Sequence, residues 1–259
     1  APIPEPLRIL FFVLNVLGVS VTAFLLLQYF VLQREAELGR SESLLLNILP
    51  RPIAERLKRD GRVVAQAHPD VTVLFADVVD FTPFAERTPP ERVVGILDEI
   101  FSEFDRLADR HGIEKIKTIG DAYMAVAGLP TARPDHAAAA ADLALEMQAA
   151  LERLSRDLAV ELHLRIGMAS GPVIAGVIGR RKFIYDLWGD TVNTASRMES
   201  AGVAGRVQVT QATRDRLAAE FELESRGRIA VKGKGELEAF LLVGRRATGG
   251  AARSVHSGA

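Results

Sequence analysis

Apolar residues along this chain form three kinds of pattern: one continuous block, helical stripes, and short strand-like runs. Residues 9–33, ILFFVLNVLGVSVTAFLLLQYFVLQ, contain no Asp, Glu, Lys or Arg. At about 1.5 Å per residue, a helix of that length can cross a hydrocarbon core of about 30 Å. The core helix of a soluble protein would keep a polar stripe. A signal peptide would have a shorter apolar region and a small-residue cleavage site. A membrane helix is therefore predicted over residues 1–33, with further membrane helices expected upstream. Glu5 precedes the block while Arg34 and Arg40 follow it, which predicts a cell-membrane protein whose remainder is cytoplasmic.

Residues 34–66 read as a helical connector. Val31, Leu38 and Leu45 recur every seven residues, but the intervening Arg34 and Ser41 are polar, so the coiled-coil seam is imperfect. Pro50 and Pro52 are expected to break it. A short helix over residues 53–59 then leads to a turn at Asp60-Gly61. From Val71 the pattern changes to strands and helices. VTVLFADVVDF (71–81) is a nearly continuous apolar run, as for a strand buried on both faces. Over residues 89–112, Val93, Leu97, Ile100, Phe104 and Leu107 make a helical stripe ended by Gly112. Residues 113–128 give a hairpin turning at Gly120-Asp121, and an alanine-rich helix follows over 135–157. Strands are predicted near 161–168, 172–178 and 206–210. A short helix over 190–200 has Asp190 as its predicted N-cap. Residues 221–243 supply further strands, interrupted by VKGKGE, and residues 246–259 read as a small, polar, disordered tail.

Charge adds little: 32 basic residues balance 33 acidic ones, which excludes a general nucleic-acid binder. The absence of cysteine excludes disulfides, thiolate metal sites and thiol nucleophiles. The five histidines are scattered without ligand spacing. The candidate chemistry lies in two acids. The strand from Val71 runs into Asp77, and a hairpin that follows a strand and its crossover helix can bring its turn, here Asp121, beside that strand end. Two neighbouring carboxylates repel unless one is protonated or a cation joins them. A hard divalent ion with oxygen ligands would satisfy both, as in phosphate chemistry; two solvated turn aspartates would need no ion.

The segments FADVVDFT, KTIGDAYM, DLWGDTVNTASRME and VKGKGE, in this order, resemble the catalytic domain of class III nucleotidyl cyclases. The resemblance covers about residues 43–245 and is close to the membrane-anchored adenylyl cyclases of mycobacteria. It implies an α/β sandwich with a palm-like βαββαβ core, over residues 67–245. It also implies conversion of ATP to cyclic AMP with two Mg²⁺ or Mn²⁺ ions per site. Asp77 and Asp121 match the metal-binding acids, with the Val78 carbonyl as a further ligand. Lys117 and Asp186 match the pair that reads adenine, Asn193 the residue that orients ribose, and Arg197 the transition-state arginine. Lys232, rather than Lys234, matches the lysine on the terminal phosphates, together with backbone N–H groups after Val78 as far as Phe81. Such sites are shared by two chains, so a homodimer with two complete sites is implied.

Each residue taken singly has a structural alternative. Lys117 would serve as a solvent-facing strand residue, Arg197 as a partner of Glu199 or Glu152, and Asp186 as the cap of a turn before Trp188. GRRKF (179–183) reads as a solvated basic loop, with phosphate steering as the alternative.

Overall fold

The computed structural model describes residues 4–46, 48–60, 65–179 and 183–246. The predicted turn residue Gly61, residues 180–182 of the basic loop, the tail beyond Arg246 and the Leu38 side chain of the seam lie outside what is described. The chain divides into two compact units, Ala1–Glu55 and Arg56–Ala259.

In the first unit the apolar block and the first part of the connector, as far as Leu46, form one unbroken helix. α1 spans Glu5–Leu46, 42 residues, or about 63 Å. Its Glu5–Glu35 stretch, whose most apolar 18 residues have a mean hydropathy of 2.5, is a candidate membrane span by length and composition. Two polar side chains inside that stretch return to the helix itself. Asn15 donates to the Phe11 carbonyl at 2.9 Å and Thr22 to the Gly18 carbonyl at 2.8 Å, so neither needs water. α1 ends ahead of Pro50, as expected. Pro52, however, lies inside α2 (Arg51–Asp60), where the first turn has no use for the missing N–H.

The second unit is built on one mixed sheet. Its strands are β1 (Ala65–Val79), β2 (Glu114–Ile119), β3 (Ala122–Ala127), β4 (His163–Ile178), β5 (Ile184–Trp188), β6 (Val207–Thr210), β7 (Phe221–Val231) and β8 (Gly235–Arg245). The order is β2-β3-β1-β4-β6-β8-β7, with β5 pairing on β4. The helices are α3 (Phe81–Glu86), α4 (Pro90–His111), α5 (His136–Asp157), α6 (Asp190–Ser200) and α7 (Gln211–Leu217). The run β1-α4-β2-β3-α5-β4 is the expected βαββαβ core. Side chains on a strand alternate between faces. Leu74, Ala76 and Val78 of β1 and Leu164, Ile166 and Met168 of β4 meet Ile100, Phe104 and Leu107 of α4 and the alanine face of α5 in one core. The opposite face of the same strands carries Asp77, Arg165 and Gly167. There α6 packs so closely that a Cβ on Gly167 would lie 1.9 Å from the Glu199 backbone nitrogen.

Several elements depart from expectation. The two strands predicted near residues 161–168 and 172–178 are one strand, β4, which runs through Gly171-Pro172. Its register with β1 skips between His68 and Val71, so Pro172 faces a bulge and no ladder bond is lost at the missing N–H. β5, α3 and α7 were not anticipated. Asp190 is the first residue of α6, whereas Gly189 occupies the N-cap and no side chain caps the helix.

Candidate active site

Strand register brings the two predicted acids together. Asp77 is paired with Ala122, the residue after Asp121, so the β2–β3 turn delivers the second carboxylate to the end of β1. Gly120 makes that turn at φ +65°, a conformation costly for any residue with a Cβ. Burial, then the charge of Asp121, raises the Asp77 carboxyl above the ordinary range, against the opposing pull of Arg165. Arg165 sits directly across from Asp77 on β4. Its Nη2 donates to Asp77 Oδ2 at 3.0 Å and its Nε to Glu199 Oε1 at 2.7 Å. Burial likewise raises the Glu199 carboxyl, a side chain of α6, in spite of that contact.

Arg165 was missed from the sequence. The available signal was a lone cation among the apolar residues of LHLRIGMAS, and reading it required the β1–β4 register. Two carboxylates, Asp77 and Glu199, therefore share one guanidinium, and the charge of Asp121 acts on both of them, an excess of negative charge that suits a divalent cation. Glu199 is turned to Arg165, and among the described residues no set of three or more acidic, His or Cys side chains converges as metal ligands. Asp77 and Asp121 with main-chain oxygen could together hold a hard cation that completes its shell with phosphate and water. The Val78 and Phe81 side chains belong to the core, at 1% and 8% exposure. Only their main-chain groups are available to a ligand. The helix that follows, α3, starts after Asp80 in the left-handed region at φ +57° and has no side-chain cap.

A second group of predicted residues assembles on β2 and β5. The Nζ of Lys117 lies 2.5 Å from Asp186 Oδ2. The other Asp186 oxygen accepts the Leu187 N–H at 2.9 Å. Asp186 stands within β5, opposite Gly176 of β4, so it is not the cap of a turn, and Lys117 is not simply solvated. Asn193 and Arg197, four apart on α6, share a helix face. Among the described residues neither side chain makes a hydrogen bond or an ion pair; the anticipated alternative partner Glu199 is taken by Arg165. In the turn between β7 and β8, Lys234 is paired with Asp190, while Lys232 is exposed with no partner among the described residues. No hydrogen bond or ion pair among the described residues joins the Asp77–Asp121 edge to the Lys117–Asp186 edge.

Residues 63–244 match the family described as the adenylate and guanylate cyclase catalytic domain. A protein named adenylate cyclase from Mycobacterium tuberculosis is 50% identical over 213 residues, 82% of this chain and 48% of that protein. The chain thus spans about half the length of that relative. Among solved structures, the guanylate cyclase domain of RhGC from Catenaria anguillulae in complex with GTP superposes with a TM-score of 0.68 at 36% identity, covering 70% of this chain and all of that one. The adenylyl cyclase CyaB from P. aeruginosa superposes with a TM-score of 0.68 at 26% identity, over 72% of this chain and all of that one.

Proposed function

As this chain belongs to the adenylate and guanylate cyclase catalytic-domain family, we propose that it is an adenylyl cyclase, converting ATP to 3′,5′-cyclic AMP and pyrophosphate. The observation that carries the choice of base is the Lys117–Asp186 pair at 2.5 Å. Opened by a nucleotide, Asp186 accepts from the adenine 6-amino group and Lys117 donates to a ring nitrogen. Guanine presents the reverse pattern and would leave both groups unpaired, which is how a polar site rejects a near-isostere.

In the reaction the ribose 3′-oxygen loses its proton and attacks the α-phosphorus. The bond from that phosphorus to the bridging oxygen breaks, and pyrophosphate departs. Asn193 orients the ribose, and Arg197, four residues along the same helix face, meets the charge that builds on the α-phosphate oxygens. A guanidinium with no partner among the described residues is free to do this. Lys232 and the main-chain N–H groups between Val78 and Phe81 hold the terminal phosphates. Asp77, Asp121 and the Val78 carbonyl would hold two Mg²⁺ or Mn²⁺ ions, which supply Lewis acidity toward the attacking oxygen and neutralise the triphosphate.

The site is shared. The acids come from one chain and the base, ribose and transition-state residues from its partner, so a homodimer carries two sites about a twofold axis. The lack of any polar contact between the two edges within one chain supports this. α1 is assigned to a cell membrane, with the catalytic unit on the cytoplasmic side, on the strength of its apolar length and of Arg34 and Arg40.

Guanylyl cyclase is the second reading, favoured by likeness to the Catenaria domain in complex with GTP. Purified full-length chain supplied with ATP or GTP, each with Mg²⁺ or Mn²⁺, separates the two. Cyclic AMP is expected in large excess, and equal or greater cyclic GMP would overturn the assignment. Lys117→Gln should lower kcat/KM for ATP about tenfold to a hundredfold, as expected when a buried partner is left unpaired at about 1–3 kcal/mol.

A further inference from the structure

The β7–β8 turn holds two lysines in sequence, and they differ in what they touch. Lys232 is exposed and has no partner among the described residues, whereas Lys234 reaches back to Asp190 in the first turn of α6. The residue just before Lys232 is also fixed to α6. Val231, 4% exposed, packs with Met198 of that helix and Ala239 of β8 in a separate apolar cluster flanked by Ile229 and Leu237. Lys232 therefore lies between two attachments to one helix, one apolar through Val231 and Met198, the other ionic through Lys234 and Asp190. Gly233 and Gly235, at φ +78° and +73°, allow the chain to reverse around the second attachment.

We infer that Asp190 and Lys234 are positioning residues: their ion pair holds the β7–β8 turn on α6 so that Lys232 keeps a fixed place relative to Asn193 and Arg197. The inference rests on the reading of Lys232 as the terminal-phosphate lysine. It gives Lys234 a different task from its neighbour in the same short motif. Asp190 is 84% exposed at its side chain, so the pair contributes little to stability. A negative charge at the start of α6 is favourable to the helix with or without Lys234. What the pair does distinctively is set the distance from the turn to the helix that bears Arg197.

The test uses the full-length chain with ATP and Mn²⁺, comparing Lys232→Ala, Asp190→Asn, the double variant and the charge-swapped Asp190→Lys/Lys234→Asp. Lost phosphate binding that is common to ground and transition states raises KM with kcat unchanged. Asp190→Asn should therefore raise KM about threefold to tenfold, less than Lys232→Ala, while the thermal unfolding midpoint falls only slightly through the lost charge at the start of α6. The double variant should be no worse than Lys232→Ala, since the anchor acts only through that lysine. The charge swap should recover most of the wild-type KM. An impaired Lys232→Ala beside a wild-type Asp190→Asn overturns the anchor alone. So does an additive double variant. A wild-type KM for Lys232→Ala removes the phosphate reading and the inference with it.

Discussion

At the Asp77 edge two carboxylates share the guanidinium of Arg165 with the charge of Asp121 close by, while at the Asp186 edge one carboxylate meets one ammonium at 2.5 Å. The first edge is short of positive charge, and its Asp77 carboxyl is pushed up by burial first and by Asp121 second. The second is balanced. An unbalanced edge gains from any cation of suitable size, so it provides binding strength but little discrimination among nucleotides. A balanced edge gains only from a ligand that replaces each broken contact with an equivalent one, and so it selects. On the proposed function, this difference in charge balance would divide metal binding from base choice between the two edges.

The largest effect comes from removing the unbalanced charge itself. Asp77→Ala should abolish turnover with either metal yet cost no thermal stability, because the ionised carboxyl is disfavoured in the folded chain and Arg165 keeps Glu199. Lys117→Ala, on the other edge, should also be nearly inactive. Mixed under conditions of subunit exchange, the two variants form a heterodimer with one intact and one doubly damaged site. Half the dimers are heterodimers, so about a quarter of wild-type activity is expected from the mixture. No recovery, with exchange shown by a tag on one variant, would place both edges in one chain's site.

Arg197→Ala comes next. It removes a donor used only as charge develops, so kcat should fall about 10²–10³-fold, about 3–4 kcal/mol of barrier. KM should change little. An equal rise in KM would show that Arg197 grips the ground state instead.

The acid edge was legible in the sequence only by halves. An apolar run ending in Asp77 and a Gly-Asp turn at the predicted hairpin sufficed to suggest that the acids meet, because both signals are local. Arg165 was not legible, since it lies 88 residues from Asp77 and its partner is decided by the antiparallel register of β1 and β4. The same register explains why β4 passes through Gly171-Pro172 unbroken: the compensating bulge is in another strand. β5 has only five residues, too few to show a period, and it is defined by pairing with β4. Asp190 had the residue type of an N-cap, but Gly189 takes that place and Lys234, 44 residues on, engages the carboxylate. The α4 stripe, by contrast, gave Ile100, Phe104 and Leu107 correctly as core, because helical periodicity is a property of the segment alone.

A third carboxyl sharpens the comparison with the smallest effect. Glu114 begins β2, three residues before Lys117, and makes no hydrogen bond or ion pair among the described residues. Burial, then the charge of Asp109 on α4, pushes its carboxyl up from 4.5 to about 7. Nearby, Tyr185 of β5 has a buried hydroxyl without a partner and is pushed up to about 12 by burial and by Glu114. The balanced edge thus has one uncompensated acid behind it. Its folded value exceeds the unfolded one, so Glu114 is neutral in both states at low pH and the folded chain incurs no penalty there. As pH rises from about 4.5 to about 7, the unfolded chain releases the proton that the folded chain retains, and stability falls; above that range both states are ionised and the loss is constant. The ceiling is about 3 kcal/mol, from about 1.4 kcal/mol per unit of pKa. Glu114→Gln keeps the shape and removes the charge. Urea unfolding across pH 5 to 8 should show the variant gaining on the wild type up to about pH 7 and holding a steady advantage beyond. A difference that is independent of pH would show that the carboxyl finds a proton donor in the folded chain, and would leave Lys117–Asp186 on an edge with no excess of negative charge.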